Sequence, residues 1–115
     1  MIISVALAMA LSMAPAKADP VDIARKAFNN CLIETHNKGV TEQMSLAAFN
    51  DNMKTACADQ KAAYHDLIVK SERGYGSKPA EAEAYANDEV QLIVDSVTSA
   101  FADNVESKGQ LIPEK

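Results

Sequence analysis

Residues 77–106 read SKPAEAEAYANDEVQLIVDSVTSAFADNVE, and their spacing decides the fold class. Apolar side chains return every three or four positions at Ala82, Ala86, Val90, Ile93, Val97, Ala100 and Phe101. That period marks one face of an α-helix rather than the two-residue alternation of a half-buried strand. Pro79 suits the first helical turn, where its missing N–H would have had no partner, and Ser77 stands where a capping residue belongs. Glu81 and Glu83 fall in the first turns, where acidic charge meets the positive end of the helix dipole. The spacing predicts a helix over 78–106. Tyr85 and Leu92 sit on one flank of its stripe and Val94 on the other, an apolar arc wide enough to be a candidate docking face.

Working outward, the same period recurs twice. Between 45 and 73 the stripe is Leu46, Phe49, Met53, Cys57, Tyr64, Leu67 and Ile68, with Ser45 as N-cap and Lys70 and Arg73 at the negative end of the dipole. Between 20 and 37 it is Val21, Ala24, Phe28, Cys31 and Thr35, widened by Ala27 and Leu32. Asp19 caps this segment, Pro20 takes its first position, and Gly39 is expected to end it. Arg25, Lys26, Asn29 and Asn30 fall on its other faces. No stretch alternates with period two, and no turn dipeptide joins β-branched runs. The expected fold is all-α, an antiparallel three-helix bundle over residues 19–106 with helices at about 20–37, 45–73 and 78–106. Residues 107–115, with Gly109 and Pro113, are expected to form a flexible tail.

The first 18 residues carry a different message. Met1–Ala14 is apolar except for Ser4 and Ser12, too short to span a bilayer but the right length for the core of an export signal. Ala16-Lys17-Ala18 then supplies small residues at the two positions a signal peptidase reads. Cleavage between Ala18 and Asp19 is expected, leaving 97 of the 115 residues and no stable membrane anchor. Met1-Ile2-Ile3 lacks the usual Lys or Arg, so either translation starts upstream or the amino terminus supplies the charge.

An exported chain meets oxidising conditions, and this one has two cysteines. Cys31 and Cys57 each lie on an inward stripe, so a disulfide between them is expected. In the chain-entropy model such a loop contributes about 3.5 kcal/mol. With helices at 20–37 and 45–73 the two cysteines are offset in level by about 7 Å at helical rise, which the loop 38–44 must absorb.

Composition then narrows function by exclusion. Eleven Lys and Arg against 16 Asp and Glu give a net charge of -5, or -6 once Lys17 leaves with the leader. That is the wrong sign for displacing counterions from nucleic acid. His36 and His65 are the only imidazoles, with no HxxxH, HExxH or ExxH spacing, and are read as solvent-facing; no metal site is expected from them with Met44 or a carboxylate. CxxCH and CxxC are absent, as is the nucleophile-elbow pattern GxSxG. Gly74-Tyr75-Gly76-Ser77 lacks the P-loop spacing and reads as a helix stop, a turn and a cap. Glu81, Glu83, Asp88 and Glu89 read as a solvated face, and Met44 and Met53 as packing residues. No catalytic residue and no cofactor is expected.

Ala56-Cys57, Tyr64, Gly74 and the run Pro79-Ala-Glu-Ala-Glu-Ala-Tyr85-Ala together resemble small secreted, two-cysteine helical proteins of alphaproteobacteria, whose function is unknown. The resemblance implies export and a helical domain and assigns no activity. The expected function is that of a non-enzymatic periplasmic or secreted protein that acts through an unknown protein partner or in stress. The alternative is a carrier of a small ligand or metal, using a cavity between helices lined by Tyr64, Tyr75 or the histidines.

Overall fold

The computed structural model describes residues 19–115, so the expected signal peptide, with its expected cleavage after Ala18, lies outside the described residues. Four α-helices follow in order: α1, Pro20–Thr41; α2, Leu46–Met53; α3, Ala58–Gly74; and α4, Pro79–Asn104. Among the described residues there is no strand. The three long helices pack on one another, and α2 packs on α4 and α1. Four helices thus stand where the sequence periodicity predicts three.

Asp19 caps α1 as expected, its carboxylate accepting from the Val21 N–H at 2.9 Å, with Pro20 in the first turn. The buried face is rotated from the predicted one. Phe28, Leu32, His36 and Val40 are wholly buried, while Cys31 and Thr35 are only half-buried at its edge. Gly39 does not end the helix. It lies inside it, against the stacked rings of Phe49 and Phe101, whose centroids are 3.8 Å apart. A Cβ at Gly39 would come within 3.1 Å of both rings. The glycine therefore lets the helix backbone approach an aromatic pair, and α1 runs on to Thr41 before Gln43, at φ 52°, turns the chain.

The predicted helix 45–73 is two helices. Ser45 caps α2 by accepting from the Ala48 N–H at 3.1 Å, and α2 buries Phe49 and Met53. The chain then turns through residues 54–57, and Cys57 takes the left-handed conformation at φ 60°. For a residue with a Cβ that costs about 1–2 kcal/mol. The break resolves the offset between the cysteines: it swings the start of α3 back beside α1, so that the two Cα atoms are 6.0 Å apart and the sulfurs stand at disulfide distance, 2.01 Å. From there α3 buries Tyr64 and Ile68, with Tyr64 stacked on Phe28 at 6.1 Å.

The turn into α4 needs Gly76, at φ 94°. Ser77 does not cap the helix. Its hydroxyl donates to Glu72, and Lys78 takes the cap position without a side-chain bond. The buried face of α4, Ala82, Ala86, Val90, Val97 and Phe101, follows the predicted stripe. Val94 turns toward the core, whereas Tyr85 and Leu92 stay exposed.

Gly39→Val, which inserts an isopropyl group between α1 and the Phe49–Phe101 stack, is expected to destabilise the fold by about 2 kcal/mol. Gly74→Ala, which meets nothing within 4 Å, is expected to change stability by less than about 1 kcal/mol. Urea denaturation followed by circular dichroism measures both, and equal effects would remove the packing role assigned to Gly39.

Candidate functional site

The tail expected to be loose is tied along α1. Asn37 and Asn30, seven residues and two helical turns apart, point out along one side of that helix. The Asn37 carboxamide donates from Nδ2 to the Leu111 carbonyl at 2.9 Å, and its Oδ1 accepts from the Leu111 N–H at 2.8 Å. Asn30 repeats the pairing with Glu114, donating to its carbonyl at 2.9 Å and accepting from its N–H at 2.8 Å. Each side chain thus presents one donor and one acceptor to a single tail residue, as a neighbouring β-strand would. Lys26 extends the line, its Nζ 2.7 Å from the Lys115 carbonyl.

The spacing explains the tail's conformation. Seven helical residues rise about 10.5 Å. Three tail residues cover that distance only near full extension, at about 3.4 Å each. Ile112 precedes Pro113, which disfavours the helical region for it and biases the segment toward extension. The segment runs antiparallel to α1.

Charge anchors the far end. Arg25 grips the Glu114 carboxylate with both terminal nitrogens, at 2.9 and 3.0 Å, and Asn29 donates to it at 2.7 Å. Arg25 also donates from Nε to Asp22 at 3.0 Å. The hydrogen bonds from Arg25, then from Asn29, hold the Glu114 carboxyl below its ordinary 4.5. Both partners remain about a third exposed, so screening limits the pair to about 1 kcal/mol.

His36 lies behind this row. Its reading as solvent-facing is overturned: the ring is wholly buried, edge-on to Phe101. Nδ1 is 2.8 Å from Asn37 Oδ1, and Asn104 Nδ2 is 3.3 Å from Nε2. With Asn104 donating to Nε2, the proton sits on Nδ1 and is given to Asn37. The Asn37 oxygen then accepts from His36 and Leu111 together. A chain of bonds runs from α4 through the core to the tail, and among the described residues no buried side-chain N or O lacks a partner.

The residues proposed to line a carrier cavity do not converge. Tyr75 borders an open cleft of about 420 Å³ with Val21 and Leu67. His65 borders a second cleft, between α3 and α4. Tyr64 borders a third, small one. Burial, with Glu89 adding to it, pushes the Tyr64 phenol up. Among the described residues no group of three His, Cys, Asp or Glu is placed to hold a metal ion. Of the acidic cluster, Glu83 accepts from or pairs with His65 Nε2 at 2.8 Å, while Asp66 holds Nδ1 at 2.9 Å. Glu81 and Asp88 are exposed.

Sequence reasoning missed Asn37, Asn104 and Glu114 altogether and left Asn29 and Asn30 as surface residues. One signal was present: asparagine is a poor helix former, because its amide competes for backbone bonds, yet α1 carries three of them. No family model, curated protein or solved structure matches the chain.

Two pH effects of opposite sign follow. The Glu114 pKa is lowered on docking, so tail docking is complete above the ordinary carboxylate value and is lost as pH falls through the lowered one. Amide hydrogen exchange at Leu111 and Glu114 is expected to accelerate on acidification below about 4.5, beyond the intrinsic pH trend, and to show no such step in Glu114→Gln. The His65 pKa is raised, first by the hydrogen bond to Asp66, with burial opposing it and Glu83 adding to the rise. Its contribution is present below the ordinary 6.5 and is lost as pH rises through the raised value. Thermal melts are expected to show wild type losing its margin over His65→Gln as pH increases above 6.5; a margin constant with pH would refute the pairing.

Proposed function

We propose that this chain is an exported, non-enzymatic protein that works by binding another protein, in the periplasm or outside the cell, as an interaction or stress-related factor. The observation that carries the reading is the paired carboxamide row of Asn30 and Asn37. These side chains grip the backbone of an extended segment and are arranged for recognition; they bring no nucleophile or acid–base pair to a substrate. Export is supported by the cysteine pair at disulfide distance, which suits an oxidising compartment, and by the leader-like run Met1–Ala14 with its small residues before Asp19. No helix among the described residues is long and apolar enough to cross a membrane. The resemblance to small secreted two-cysteine helical proteins points the same way. Exposed Tyr85 and Leu92, two turns apart on α4, offer a second contact surface.

A second reading keeps the carrier. The cleft of about 420 Å³ beside Tyr75 is large enough for a small ligand and is bordered by Val21 and Leu67.

Native mass spectrometry of the protein taken from a periplasmic fraction tests both. The expected species begins at Asp19, is lighter by the two thiol hydrogens than the reduced chain, and carries no small ligand. An uncleaved chain with two alkylatable thiols would overturn export, and a retained small-molecule mass would favour the carrier.

A further inference from the structure

The polar side of α1 has the properties of a peptide-binding site whose occupant is built into the chain. On the tail, Asn30 and Asn37 bond only to the N–H and C=O groups of Leu111 and Glu114, so they read its backbone and spacing, not side-chain identity. Recognition by added main-chain bonds is a general route to peptide affinity, with side-chain contacts supplying selectivity. Here the selective contact is the three-bonded carboxylate of Glu114, held by Arg25 and Asn29. In a chain of net charge -5, Arg25 and Lys26 outweigh Asp22 here and leave a locally positive place.

The occupant contributes little to the core. Ile112 is 87% exposed, Pro113 and Lys115 are exposed, Leu111 is half-buried, and no residue beyond Val105 packs on the hydrophobic cluster. A segment kept for folding would bury apolar surface; this one makes polar bonds to a surface row. It is joined to α4 by a sharp turn, with Lys108 at φ 60° and the Gly109 N–H bonded to the Asn104 carbonyl. Asn104 in turn contacts His36, which holds Asn37.

We propose that Asn30, Asn37, Asn29 and Arg25 form a binding site for an extended acidic peptide of a partner protein, and that residues 111–114 occupy it in cis until displaced. The ligand is a strand-like segment with a Glu or Asp side chain at the Asn30 rung, three residues after the one at the Asn37 rung. This deepens the interaction reading above and rests on it. The tethered tail competes at high effective concentration, so the free site is seen only when the tail is weakened.

The test uses the full chain. Leu111→Pro removes the N–H that Asn37 accepts, and Glu114→Ala removes the carboxylate; together they release the tail. The probe is a fluorescent peptide of residues 109–115, followed by anisotropy. The released variant is expected to bind it saturably, and wild type at least tenfold more weakly. Adding Asn30→Ala and Asn37→Ala to the released variant, or replacing the peptide's Glu by Ala, is expected to abolish binding. A released variant with native circular dichroism that does not bind the peptide overturns the proposal, as does equal binding by the asparagine variants. Should the double substitution lower the helical signal, Glu114→Ala alone is titrated in the same way and judged by the same outcomes. Export and this site fail separately: a chain found uncleaved and reduced removes the first while peptide binding stands, and absent binding with a cleaved, oxidised chain removes the second.

Discussion

The Cys31–Cys57 pair ties the middle of α1 to the residue just before α3, and that tie governs where the chain between them can go. A continuous helix after Ser45 would carry Cys57 out of step with Cys31. The chain instead breaks at residues 54–57, with Cys57 itself in the left-handed region. The break frees α2 to pack on α4 and α1, where it sets Phe49 on Phe101. That stack then requires a residue without a Cβ on α1, and Gly39 supplies it. A left-handed residue and an interior helical glycine each oppose helix propensity by about 1 kcal/mol. A bond between the sulfurs, worth about 3.5 kcal/mol in the chain-entropy model, exceeds either cost.

The same close approach of α1 and α4 buries His36. An imidazole in that position needs partners for both ring nitrogens, and it finds them in Asn37 and Asn104. Asn37 is thereby held with its carboxamide aimed outward, ready for the Leu111 backbone. The surface row on α1 is therefore an extension of core packing. Its orientation comes from a buried ring, and the ionic grip of Arg25 on Glu114 adds charge at the far end.

How much of this was legible varied with the kind of interaction. The stripe on α4 was readable because a helix packed on one side shows its period directly in Ala82, Ala86, Val90, Val97 and Phe101. The stripe on α1 was misread by about a quarter of a turn. That helix faces α3, α4, α2 and the tail together, so its polar and apolar positions do not divide cleanly, and buried His36 breaks the pattern. Ser77 resembled a cap, yet Glu72 from the preceding helix took its hydroxyl. Gly39 resembled a stop, because sequence offers no way to tell a glycine that ends a helix from one that admits two aromatic rings. The tail resembled a loose end because Gly109 and Pro113 are poor helix residues. Extended segments need no local signal when another element supplies their hydrogen bonds.

By itself the amino-acid order determined the helical class, the cap at Asp19, the buried face of α4, and the pairing partners among two cysteines. Each of these depends on neighbours within about one or two turns, or on there being a single possible pair. Only the tertiary structure decided the division of the second helix, the burial of His36, the role of Gly39, and the docking of residues 111–114 on Asn30 and Asn37. Those features join residues up to 84 positions apart. They arise from hydrogen-bond and steric demands that exist only once the helices have met.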